Sequence, residues 1–281
     1  MKLYRYIPAL DRENGTQLYK GMIENLQCAR LRFTNPATLN DPLEAVAPYT
    51  FRENGNVVTP NTKEIKEILS THLGKNVWKE PRGKRILEVM PFGISLEYAI
   101  MLCLSKSENN QLMWAHYADY HRGICLEFDF PDSFCSKVTW SDAVIFSHKN
   151  FGLFCHCGDV NYEAQRKAII FSDGIAENDY PVYDALLSKP DCWKYEQEYR
   201  VLLCYPIDSE CKFAAGANTR EYYFTYPKEW LTSITFGMRL SEAPRESIIQ
   251  CIGEAKYPDV TFKQEILVNN KFEIGCEKIL F

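Results

Sequence analysis

The chain lacks any apolar run of the roughly eighteen residues that a membrane-spanning helix needs. Its opening, MKLYRYIPALDREN, lacks the apolar core of a secretory signal, so the expected location is cytoplasmic, away from membranes. No GxxxxGK[ST] loop occurs, and no GxGxxG follows a strand, so the common phosphate-loop and dinucleotide-fold sites lack support. HExxH and GxSxG are missing too, which removes the two commonest zinc-peptidase and serine-hydrolase plans. No internal repeat is present. Neither charge dominates: 32 Lys and Arg stand against 37 Asp and Glu, a net charge of -5. That balance argues against a protein that coats nucleic acid nonspecifically, while leaving a local basic groove open.

Cysteine, by contrast, is plentiful. Eleven residues, an odd number, sit in apolar segments such as MLCL and VLLCY. Without a targeting signal they read as free, mostly buried thiols rather than a disulfide framework. Cys155-His156-Cys157, with His148 nearby, has the ligand chemistry of zinc. Structural zinc sites use two spaced ligand pairs, however, and a second pair is missing, so no metal is expected.

At 281 residues the chain is long enough for one large core. KLYRY reads as a first strand closed by Pro8. Leu18, Met22, Ile23 and Leu26 have helical spacing within Thr16 to Gln27. LRFT, Leu31 to Thr34, is a second strand, and NPATLNDPLEA is a turn-rich loop. Residues 51–95 are more polar, with a helix expected over Lys63 to Leu73 and a solvated loop from Lys79 to Arg85. This stretch is expected to be a helical insertion or lid. Strand Ile100 to Leu104, a helix from Asn110 and strand Gly123 to Phe128 follow, then a loop-rich middle. A helix over Asp179 to Leu187 and strand Tyr199 to Tyr205 come next. The last third predicts strands Glu221 to Thr225 and Ser233 to Phe236, helix Glu242 to Ala255, strand Val260 to Glu265 and a closing strand Lys271 to Gly275. Uneven alternation of this kind points to a single α+β domain rather than a doubly wound sheet.

The chemistry concentrates in QLMWAHYADYHRG, Gln111 to Gly123. Trp114, His116, Tyr117, Tyr120, His121 and Arg122 bring together groups that stack on rings and hydrogen-bond to polar ligands. Trp114 and Tyr117 are candidates for an aromatic ligand pocket. His116 is a candidate acid or base, or a core histidine. His121 and Arg122 would receive a phosphate or cap the helix's carboxyl end. Asn40-Asp41-Pro42 is good turn chemistry, and Asp41 and Glu44 are candidates to line the same pocket as His116.

Three further features recur along the chain. Arg5 lies on the opening strand between Tyr4 and Tyr6, which alternation turns to the other side. Ser105-Lys106-Ser107 ends an apolar strand, where it would otherwise cap the next helix. In YEQEYR, Tyr195 to Arg200, Glu196 and Glu198 fall on one side of a strand entry, where sheet-edge charges are also common. Taken in order, these features resemble the Arg-Ser-Glu class of ADP-ribosyltransferases. That resemblance implies an ADP-ribosyltransferase-like fold of mixed and antiparallel sheets, with NAD as substrate. Arg5, beside Tyr6, would anchor the NAD phosphates or nicotinamide ribose, and Ser105 would order the pocket. Glu198 would hold the ribose hydroxyl and stabilise the oxocarbenium ion, with Glu196 orienting or activating the acceptor.

A second resemblance spans nearly the whole chain. LYRY (Leu3 to Tyr6), LNDPLE (Leu39 to Glu44), MWAHYADYHRG, YEQEYR and ITFG (Ile234 to Gly237) are similar, in order, to the hallmarks of a widespread family of uncharacterised bacterial proteins. Members often open with His where this chain has Arg5, and such a strand resembles the start of RNA 2′-phosphotransferases and poly-ADP-ribosyl enzymes. The expectation is an NAD-dependent ADP-ribosyltransferase-like enzyme acting on a macromolecular acceptor, protein or nucleic acid. The fold resemblance adds a toxin or phage-defence setting, with an antitoxin or defence partner. Two alternatives stand beside it: a catalytically silent nucleotide sensor, and an RNA-processing enzyme using His116 and His121 as acid and base.

Overall fold

Alternation in KLYRYI sends Leu3 and Ile7 to one side of a strand and Tyr4 and Tyr6 to the other, giving both sides apolar bulk to bury. The computed structural model describes residues 1–36, 39–41, 46–59, 61, 63–64, 67, 89–90, 93–95, 99–132, 154–165, 168–173, 175–176, 186–204 and 222–280. In it this strand, β1 (Lys2–Ile7), lies inside an eight-stranded sheet. Its neighbours are β2 (Ala99–Ser105) and β3 (Ile124–Asp129), both antiparallel to it. Beyond β2 the sheet runs through the strand Glu198–Cys204 to the edge strand Phe154–Asp159; these are β5 and β4 in chain order. Beyond β3 it continues through β6 (Leu231–Phe236), β7 (Thr261–Leu267) and β8 (Ile274–Lys278). Among the described residues, only β6 and β7 pair in parallel within this sheet, and helix α3 (Glu242–Glu254) makes their crossover.

On one face, Leu3, Leu126, Phe128, Ile234 and Phe236 pack with Met22 and Leu26 of α1 (Lys20–Gln27) and with Ile248 and Ile252 of α3. On the other, Tyr6 and Cys125 pack with Met113, Trp114 and Ala118, brought by α2 (Gln111–Tyr117). The architecture is α+β, a mixed sheet with few helices. Among the described residues no helix is long and apolar enough to cross a membrane.

The structure departs from the sequence expectations in several places. The first helix begins at Lys20 rather than Thr16, because Leu18 forms a bridge to Leu10 and the Tyr19 amide bonds to the Ala9 carbonyl. Helix α2 ends at Tyr117. Asp119, Tyr120 and His121 then take left-handed φ values of 48°, 54° and 69°, so the aromatic block is half helix and half tight turn. Gly123 and Gly237 allow that turn to close, since a Cβ at Gly237 would lie 2.2 Å from the His121 carbonyl oxygen. The expected loop-rich middle contains β4 at residues 154–159.

Within 51–95, the expected helical insertion, Lys63, Glu64 and Glu67 are helical, but strands Tyr49–Glu53, Asn56–Val58, Val89–Met90 and Gly93–Ser95 also occur. Aromatic and β-branched residues such as Phe51, Val57 and Val58 favour that outcome. The last strand begins at Ile274, because the Val268 amide bonds to the Glu273 carbonyl and Lys271 lies in the turn between them. The rest of the Lys63 to Leu73 helix, the Lys79 to Arg85 loop, His148 and most of the Asp179 to Leu187 helix lie outside the described residues.

Candidate functional site

Strands β1 and β2 pair at one register, Tyr4 opposite Ser105. Earlier along β2, Met101 bridges Thr34 instead. A cavity of about 220 Å³ opens where the two strands part. Tyr4, Arg5 and Tyr6 line it from β1, and Cys103, Leu104 and Ser105 from β2. Arg32, Asn40, Asp41 and Trp193 add to the wall, with the Trp193 indole N–H donating to Asp41 at 3.2 Å.

The Glu-x-Glu pair reaches this cavity by a route that strand alternation does not describe. Glu196 ends a 3₁₀ turn (Asp191–Glu196), Gln197 is left-handed at φ 44°, and Glu198 opens β5. The turn folds both carboxylates inward, leaving Glu196 3% and Glu198 6% exposed. The buried Lys189 ammonium bridges them, at 2.5 Å from Glu196 and 3.3 Å from Glu198. Arg200, fully buried, grips Glu198 with a two-pronged pair of bonds at 2.9 Å and donates to the Leu186 carbonyl at 2.6 Å. The Tyr117 hydroxyl donates to Glu196 at 2.5 Å, and the Glu198 amide donates to the Tyr162 hydroxyl at 2.8 Å.

Ser105 holds the two halves together. Its buried hydroxyl donates to the Glu196 carbonyl at 2.7 Å and accepts from the Ser107 amide at 3.1 Å. The helix cap suggested for this turn belongs instead to Asn110, whose side chain accepts from the Leu112 and Met113 amides. On the other wall, the Arg5 guanidinium donates to the Cys103 carbonyl. A guanidinium carries five N–H donors, so most of its capacity remains for a ligand in the cavity.

Burial alone would push the Glu198 carboxyl up, but the Arg200 guanidinium and the Lys189 ammonium outweigh it and hold it at about 2. Burial raises the Glu196 carboxyl, and the charge of Glu198 adds to that against the pull of Lys189. Burial also raises the Tyr117 hydroxyl, with neighbouring Glu196 reinforcing it, and raises the Cys103 thiol, which stays neutral. Burial lowers Arg5, so an anion beside it would restore what desolvation costs.

Of the sequence candidates, Arg5, Tyr6, Ser105, Tyr117, Glu196, Glu198 and Asp41 converge on this cavity. Glu44 lies outside the described residues. Trp114 is fully buried, edge-on to Tyr6 at 5.3 Å, and its indole N–H donates to the Glu108 carbonyl. His116 is exposed, and its Nδ1 lies 2.8 Å from the Tyr195 hydroxyl. His121 Nδ1 lies 2.7 Å from the buried Glu265, and exposed Arg122 pairs with Asp119. None of these four lines the cavity. Lys189, Trp193, Arg32 and Arg200 are site residues that sequence reasoning missed. Arg200 stood in the quoted YEQEYR motif, whereas Lys189 carries no local signal.

Residues 113–201 match the model of a family described as a protein of unknown function (DUF2971). The matched span holds Tyr117, Lys189, Glu196, Glu198 and Arg200. No curated protein and no solved structure matches the chain.

Proposed function

We propose that the cavity takes the nicotinamide-ribose end of NAD, and that the chain is an ADP-ribosyltransferase-like enzyme acting on a macromolecular acceptor. The observation that carries this reading is the convergence of Arg5, Ser105 and Glu198, from three distant segments, on one cavity between β1 and β2. In the reaction the bond from ribose C1 to the nicotinamide nitrogen breaks, and its electron pair leaves with nicotinamide. Glu198, ionised at neutral pH, faces the positive charge that develops on the ribose. Arg5 supplies a cation for the phosphates. Glu196, whose carboxylate has acceptor capacity beyond its two bonds, takes the proton of the incoming acceptor. The cavity, about 220 Å³, suits one end of the dinucleotide, with the adenosine half across the mouth. The toxin or phage-defence setting follows from the resemblance alone.

A second reading, nucleotide binding without turnover, draws support from the same pair. Glu198 already has Arg200 and Lys189 as counter-charges, so it has less negative field to offer an oxocarbenium ion. Incubation of the purified chain with NAD, following free nicotinamide and label transfer to lysate, separates the two. Release that Glu198→Gln abolishes, in a folded variant, supports the transferase. Saturable binding without release supports the sensor, and neither binding nor release refutes both.

A further inference from the structure

Lys189 lies on the short strand Ser188–Pro190, which pairs in parallel with Asn161–Glu163. It is 7% exposed, and its ammonium also sits 5.0 Å from the centre of the Trp193 ring in the cavity wall. The groups around Glu196 are Lys189, Glu198 and Tyr117, with Tyr162 and Tyr195 close enough to feel its charge. Arg200 is committed to Glu198 by its two-pronged bond. Lys189 is thus the cation that bonds Glu196 directly, and it also reaches the second carboxylate.

We propose that Lys189 is a positioning residue for this site: bridging both carboxylates, it keeps Glu196 ionised and aimed so that Glu196 can accept a proton from the acceptor group. The inference rests on the reading of Glu196 and Glu198 as the reacting pair. Without the bridge, a buried carboxylate beside a second carboxylate takes up a proton, since two like charges in one low-dielectric site cannot both persist. In the working site that proton passes from the acceptor's hydroxyl or amine to a Glu196 oxygen as the new bond to ribose forms. A protonated Glu196 has no room for it.

The test compares Lys189→Met with Lys189→Arg, first without NAD. Infrared spectra at neutral pH should show a protonated-carboxyl band in Lys189→Met. Measured against wild type, the band should be gained by Lys189→Met and not by Lys189→Arg or Lys189→Met/Glu196→Gln. A folded Lys189→Met lacking the band overturns the proposal. If Lys189→Met does not fold, Lys189→Met/Glu196→Gln should fold, because it removes one charge of each sign; equal failure of both overturns the proposal. With NAD, nicotinamide release by Lys189→Met should fall by about 10²-fold at neutral pH, the scale of general-base contributions. The acidic limb of its pH profile should move upward, and Lys189→Arg should restore it; an unmoved limb overturns the proposal. A wild-type chain that releases no nicotinamide refutes the NAD reading, while the infrared result still judges Lys189.

Discussion

Glu198→Gln takes one negative charge from a buried group of two cations and two carboxylates, and the structure says what that does to the fold. Arg200 is the residue most affected, because its guanidinium is fully buried and two of its donors end on Glu198 at 2.9 Å. A glutamine oxygen can accept one of those bonds, but its amide nitrogen then confronts the second donor. Breaking one side of a buried pair costs about 3–5 kcal/mol. Arg200 keeps the Leu186 carbonyl and Lys189 keeps Glu196, which favours the lower end, about 3 kcal/mol. For a chain of this size that lowers the melting temperature by roughly 6–12 °C. Urea denaturation at neutral pH measures the loss, with Arg200→Met and Glu198→Gln/Arg200→Met completing the cycle. The double variant should lose about 2 kcal/mol less than the sum of its singles. A loss below about 1 kcal/mol in Glu198→Gln, or strict additivity in the cycle, refutes the claim that this pair is coupled. Activity of Glu198→Gln therefore has to be read well below its own melting temperature.

Glu127 on β3 accepts from Lys2 at 2.7 Å, Thr232 at 2.8 Å and Lys263 at 3.0 Å, which outweigh its burial. It and Glu198 are both held at about 2, below the unfolded value, so the native chain binds fewer protons than the unfolded one between those limits. The stability they contribute is fully present above about pH 4.5 and is lost as the pH falls towards about 2. Urea midpoints should drop over that window, less steeply in Glu127→Gln; an unchanged slope would sink the assignment. Trp114→Ala should cost about 3–5 kcal/mol in chemical denaturation, because it empties a fully buried core position. A mild loss would instead reopen Trp114 as a ligand platform. Gly237→Ala puts a Cβ 2.2 Å from the His121 carbonyl oxygen, backbone that cannot swing aside, and should cost about 1–3 kcal/mol in the same assay. A neutral result would mean that the turn after Ala118 is pliant.

Much of the sheet was legible because its strands are short apolar runs: KLYRY, IMLCL, ICLEF and ITF each carry bulk for a buried face. β4, with the sequence FCHCGD, was not legible, since Cys, His and Gly carry little strand propensity and its place is set by pairing with β5. The acidic half of the site was visible as Glu-x-Glu, but its geometry was not. Alternation predicted a shared strand face, whereas the left-handed Gln197 does the folding-in. Lys189 was invisible for a different reason. A lone lysine before a proline has no periodic or spacing signature, and its burial arises when the strand Ser188–Pro190 closes over the 3₁₀ turn. The aromatic block was noticed for its composition, yet its members divide: Tyr117 serves the cavity, Trp114 the core, and His116 and His121 separate partners.

The meeting of Tyr4 and Glu198 on either side of Ser105 bears on how the chain folds. These positions come from the start, the middle and the last third of the sequence, so their pairings close long loops and confer high contact order. β1 sits between two strands that follow it by about a hundred residues, so during synthesis it waits for both partners with its two sides unburied. Folding should be slow for a chain of this length. The cavity should also be among the last features to form and among the first lost, since any opening between β1 and β2 removes one of its walls.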